Sequence, residues 1–165
     1  PQVTPLLPEK PGSKLQPDTN DTPCPQMSVM AVDGSLFFGS SPAVQASLDR
    51  YLDNHPKMQN IVLRMHHVDV LDASGVHTLR AVQDKLKSRG GTLALAGLSR
   101  VNAEVLANSG FLAQLGEQYV RKNTSRAMEE VMKTFSRKRC YHCPYAHFNE
   151  CRALKREGRK LENES

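Results

Sequence analysis

Apolar residues along this chain fall into short dense runs and longer spaced series, and the two patterns alternate. The densest run, over residues 61–71, holds Ile61, Val62, Leu63, Met65, Val68, Val70 and Leu71. A short run rich in β-branched side chains predicts a central strand covered on both faces. Asp72-Ala73-Ser74-Gly75 follows as a turn, after which Val76, Leu79, Val82 and Leu86 recur at helical spacing until about residue 88. Upstream, the pattern predicts a strand over 28–32, a turn at Asp33-Gly34 and a second strand over 35–38. Ser40, Ser41 and Pro42 mark a helix entry, and the helix over 43–54 carries Val44, Leu48, Tyr51 and Leu52 on one face. A buried strand is expected over 92–96 and a short helix capped by Ser99 or Asn102. A weak strand signal at Tyr119-Val120 and a last helix over 124–135 complete the series. The order β-β-α-β-α-β-α-β-α implies an α/β fold, a mixed and mostly parallel sheet with helices packed on it.

Composition divides the chain into three parts. Residues 1–26 read as a flexible leader, because seven of the ten prolines lie in the first 25 residues with little apolar material between them. Residues 27–136 hold the patterned domain. Residues 137–165 form a basic tail containing cysteine and histidine. The net charge of +5 is uneven, since residues 121–165 hold 12 basic and 6 acidic residues while the rest is nearly neutral. Such a stretch suits a solvated face or an anionic membrane surface. Nucleic acid is not expected as a partner, because aromatics are 5% of the chain and no nucleic-acid-binding pattern occurs. No apolar run reaches the roughly 20 residues that cross a bilayer, and the first 25 residues show no signal-peptide pattern.

The 72–75 turn is the leading candidate site. It closes a central strand and opens a helix, so backbone N–H groups and the positive dipole end face outward there. In open α/β sheets, ligand and partner sites lie beyond such carboxyl ends. Ser74 could carry a phosphate, which would add nearly two negative charges beside Asp72; it could equally be a turn or cap residue. No Gly-x-Ser-x-Gly or phosphate-loop motif is present, and Asp69 and Asp72 are too ordinary a pair for acid–base chemistry, so catalysis is not expected. His66-His67 read as packing or strand-end residues, and His55 and His77 as solvent-facing helix ends.

Cys140, Cys143, His147 and Cys151 make the second candidate site, C-x2-C followed at four-residue steps by His and Cys. Three thiols and one imidazole form a zinc ligand set. Three cysteines could also hold part of an iron–sulfur cluster whose fourth ligand comes from elsewhere. A redox pair of Cys140 with Cys143, or plain reduced thiols, also fit the spacing. Cys24, alone in the leader, reads as incidental.

Taken in order, Val32-Asp33-Gly34-Ser35-Leu36-Phe37-Phe38-Gly39, the 61–65 strand, Asp72-Ala73-Ser74-Gly75, Arg89-Gly90-Gly91-Thr92-Leu93 and Asn108-Ser109-Gly110-Phe111 resemble the STAS domain, over about residues 27–135. The Gly-Ser-Leu-Phe-Phe-Gly segment is similar to the branch found at the cytoplasmic C-terminus of sulfate-permease-type anion transporters. That resemblance implies a regulatory domain on the cytoplasmic face of a membrane. Its partners would be the membrane domain of the same polypeptide and soluble regulators or kinases, met around Asp72, Ser74 and Gly75. The alternative is the family's other branch, a free-standing anti-sigma-factor antagonist switched by phosphorylation of the serine in this turn.

Overall fold

The computed structural model of the protein describes residues 2–37 and 39–165. Six strands form one sheet in the order β2-β1-β3-β4-β5-β6. The strands β3 (Met27–Asp33), β4 (Asn60–His67), β5 (Leu93–Ala96) and β6 (Val120–Arg121) run parallel, and β1 (Gln2–Pro8) pairs antiparallel with both β3 and the short β2 (Leu15–Pro17). The mixed, mostly parallel α/β sheet is therefore as expected.

Alternation along the central strands separates two cores. Met30 and Val32 of β3, Ile61, Leu63 and Met65 of β4, and Leu93 and Leu95 of β5 face the layer built by α1 (Ser41–Asn54), α2 (Ala73–Ser88), α3 (Arg100–Asn108) and α4 (Phe111–Leu115). Met27, Val29, Val62, Ala94 and Ala96 face the other side, covered by α5 (Thr124–Met132) through Ala127, Met128 and Val131. β4 is buried on both faces over 60–63, which is what its unbroken apolar run requires.

Two expectations are corrected. The leader is ordered: Gln2 to Leu6 pair with Asp33 to Val29, and Leu6 is buried in the second core. Prolines are tolerated near a sheet edge, and β2 beyond β1 is only three residues long. The second strand expected over 35–38 is reduced to a single bridge, Leu36 to Leu71, with Phe38 outside the described residues. The basic tail is a helical hairpin of α6 (Arg137–His142) and α7 (Cys151–Glu164). Gly158 makes that crossing close, because a Cβ there would lie 1.9 Å from the carbonyl oxygen of Arg137.

Buried amides stitch the strands at the amino end of the sheet. Asn60 Nδ2 donates to the Gln26 carbonyl at 2.8 Å, and its Oδ1 accepts from Thr92 N at 2.9 Å. One side chain thus joins β3, β4 and β5. Gln26 in turn accepts from Ser136 N at 2.9 Å and donates to Ser136 O at 3.1 Å, tying the start of α6 to the sheet. Replacing Asn60 by Ala leaves a buried N–H and a buried C=O without partners. Unfolding in urea should show a loss of about 2–4 kcal/mol with an unchanged denaturant slope.

Candidate functional site

Two loops meet at the carboxyl end of β3 and β4. Leu36 N donates to Val70 O at 2.8 Å, and Asp72 N donates to Leu36 O at 3.1 Å. Asn102, buried at the start of α3, holds the second loop from outside. Its Nδ2 donates to Val68 O at 3.1 Å and its Oδ1 accepts from Leu71 N at 3.1 Å. The cap of α3 is Ser99, whose Oγ accepts from Asn102 N at 3.2 Å, so of the two expected caps one caps and the other braces the loop.

The expected turn is the first turn of α2, and Asp72 is its N-cap, with Oδ1 accepting from Gly75 N at 3.0 Å. Ser74 lies two residues inside the helix, half-buried, and the capping bond is made without its hydroxyl. It lines an open cleft with Ser41 and Asp49 of α1 and with His77. Gly75 is buried, and a Cβ on it would lie 2.4 Å from Leu36 O and 2.7 Å from Leu71 Cδ1. That position needs glycine for space, so the backbones of the two loops set the place of the helix start.

Three apolar side chains are exposed on the segments that meet at this start, among the exposed Asp69, His77 and Arg100. Phe37 and Val70, each next in sequence to one member of the Leu36–Leu71 bridge, are 44% and 51% exposed. Val101, beside the bracing Asn102, is 68% exposed. Hydrophobic periodicity alone placed Val70 in a buried strand, so this exposure was missed in the sequence.

His67 Nδ1 pairs with Asp33 Oδ1 at 2.9 Å across β3 and β4, and both His66 and His67 lie exposed at the strand end, the second of the two readings. Partial desolvation of the otherwise exposed ring, with Arg64 and His67 nearby, lowers the His66 pKa. His55 is not solvent-facing as read; it stacks on Tyr51 and pairs with Asp21 at 2.8 Å. His77 is exposed.

The structure does not bring the proposed metal ligands together as a set. His147 turns away, its Nε2–H donating to Thr22 O at 2.7 Å and its ring stacked on Tyr145. Among the described residues, no three His, Cys, Asp or Glu side chains are arranged to hold a metal ion. Cys140, Cys143 and Cys151 do share a small cavity, and Cys24 joins them there. Burial pushes Cys24 up to about 12 and also raises Cys140 and Cys151. Most basic side chains of the stretch are exposed, as a solvated face requires, while Arg121, Arg137, Arg139 and Lys155 are half-buried. Arg139 binds Gln59 Oε1 at 2.9 Å and Pro25 O at 3.2 Å, and Arg137 binds Glu157 at 2.9 Å together with three backbone carbonyls.

A mixed, mostly parallel sheet with helices packed on it and a capped helix start at its carboxyl end defines a domain of the α/β class. The family model of the STAS domain matches residues 18–136, and the chain belongs to the STAS domain family. It is 30% identical over 95 residues to YvdB of Bacillus subtilis (strain 168), assigned as a sulfate transporter; the match covers 58% of this chain and 18% of that protein. The chain thus spans about a fifth of such curated relatives. A sulfate transporter family protein from Wolinella succinogenes has a crystal structure similar at TM-score 0.57 and 30% identity, covering 65% of this chain and 85% of that one. The unphosphorylated anti-sigma factor antagonist SpoIIAA shares the fold at TM-score 0.56 and 16% identity, over 68% of this chain and 94% of that one. Among the described residues, no helix is long and apolar enough to cross a membrane.

Gly75→Ala should destabilise the protein by about 2–3 kcal/mol or more, since backbone has to move to admit the methyl group. Asp72→Ala removes the cap and should cost about 1 kcal/mol. Equilibrium denaturation of both variants checks the order; equal losses would mean that the loops yield easily.

Proposed function

We propose that this chain is a non-catalytic regulatory domain of a sulfate-permease-type secondary anion transporter. In this reading it sits on the cytoplasmic face of the membrane and acts through contacts made around Asp72, Ser74 and Gly75. The observation that carries it is the exposure of Phe37, Val70 and Val101 on the segments whose backbone and Asn102 bonds place the helix start. Exposed apolar residues beside a polar turn suit a protein partner. Similarity to YvdB and to the Wolinella succinogenes protein supports an anion transporter as the setting.

The chain path adds a second support. Gln2 pairs with Asp33, so β1 enters the sheet at the same end as the 72–75 turn. A membrane domain joined ahead of β1 would therefore deliver its nearest surface beside these segments. Ser74 supplies the means of control. A phosphate on it would put nearly two negative charges into the cleft that already holds Asp49, and would repel an acidic or apolar partner surface.

The test is sulfate uptake by cells producing the full product of the gene, compared at equal membrane abundance. Val70→Asp and Ser74→Glu should each lower uptake about fivefold or more. Wild-type uptake in both would remove the regulatory contact from this face. A full product without membrane segments, whose Ser74 is phosphorylated by an anti-sigma factor kinase, would establish the free-standing switch instead.

A further inference from the structure

All four cysteines of the chain line one cavity, although one comes from the segment before β3 and three from the helical hairpin at the other end. Pro25, Phe135 and Tyr145 give it an apolar wall, and Arg139 and Lys155 stand at its rim. We propose that Cys24, Cys140, Cys143 and Cys151 are the four ligands of an iron–sulfur cluster seated in this cavity.

Four thiols and no carboxylate or imidazole around an apolar space make a soft, all-sulfur donor set, which selects thiophilic metal centres. Tetrahedral zinc needs its thiolates about 2.3 Å from one point, and among the described residues no three His, Cys, Asp or Glu side chains are grouped to hold a metal ion. A cluster of several atoms instead bridges cysteines that line a shared cavity. The fourth ligand, absent from the Cys140–Cys151 segment, is supplied by Cys24, with His147 committed to Thr22.

The surroundings suit such an anionic centre. The Lys155 ammonium is fixed beside the site by Cys140 O at 3.0 Å and Cys143 O at 2.6 Å, and Arg139 is fixed by Gln59 and Pro25. Both cations are held without a carboxylate in those bonds, and positive charge facing buried thiolates offsets their desolvation. Two N–H groups already aim at sulfur: Tyr145 N at Cys143 Sγ, 3.3 Å, and Gln26 Nε2 at Cys140 Sγ, 3.4 Å. Hydrogen bonds to ligand sulfurs are among the means by which proteins tune such clusters.

A synthetic iron–sulfur cluster carrying four small thiolate ligands is the probe. On transfer, four Fe–S bonds to protein form and four to carrier break. Each protein thiol passes its proton to a departing small thiolate, and no electron moves. After anaerobic mixing and desalting, the 165-residue chain should retain iron and sulfide in equal amounts, about two or four of each. The cluster should also protect the α6–α7 hairpin from protease. Cys24→Ser and Cys143→Ser should each retain less than about a quarter of that content, while His147→Ala retains all of it. Circular dichroism identifies variants that have not folded; Cys143 is half-buried, so its replacement is the milder one. Wild-type content in folded Cys24→Ser or Cys143→Ser, or loss in His147→Ala, would overturn the ligand set. A wild-type chain that keeps no iron, or that binds one zinc in preference, would overturn the cluster.

Discussion

Everything at the carboxyl end of the sheet depends on a contact too close for a side chain. Gly75 lies against the carbonyl of Leu36, which leaves no space for a methyl group between them. The same carbonyl accepts from Asp72 N, and Leu36 N reaches across to Val70 O, so two loops are zipped through one residue. Close-packed interiors transmit such a constraint without slack. The helix start, its cap and the exposed Phe37 and Val70 are thereby fixed relative to one another. Only a surface held this way can present apolar side chains to a partner at little further entropic cost.

The amino end of the sheet is held by a different kind of bond. The buried side-chain amides of Asn60 and Gln26, with the backbone of Ser136, form a chain that runs from β5 through β4 and β3 to the helical hairpin. Each buried polar group is satisfied by a named partner, which makes the network specify a position as well as stabilise it. The hairpin is therefore part of the folded body. Its docking residues, Phe135, Cys140, Phe148 and Leu154, are continuous with the core beneath α5.

What the sequence revealed and what it hid follow from how local each signal is. β4, α2 and α5 were legible because their apolar spacing is decided within ten or so residues. β1 was not: Val3, Leu6 and Leu7 are few among prolines, and their strand exists only because β3 offers an edge far along the chain. Asn102 and Gln26 look like surface amides until the loops they bind are in place. For the turn at Asp72, Ser74 and Gly75 the position was legible, but the cap was assigned by residue preference and the space filled by Gly75 could not be. Cys24 carried no local signal at all; its meaning comes from Cys140, Cys143 and Cys151.

The pairing of Gln26 with the α6 segment has a consequence in time. Gln26 precedes Cys140 by 114 residues. A ribosome adding about 5–20 residues per second needs roughly 6–23 s to cover that distance. During that interval β3 can pair with β1 and β4, yet the face that will bury Cys24 has no cover. The second core is thus the last to close, and until then Cys24 and Gln26 stand open to any thiol, oxidant or metal carrier that arrives before the chain's own ending does.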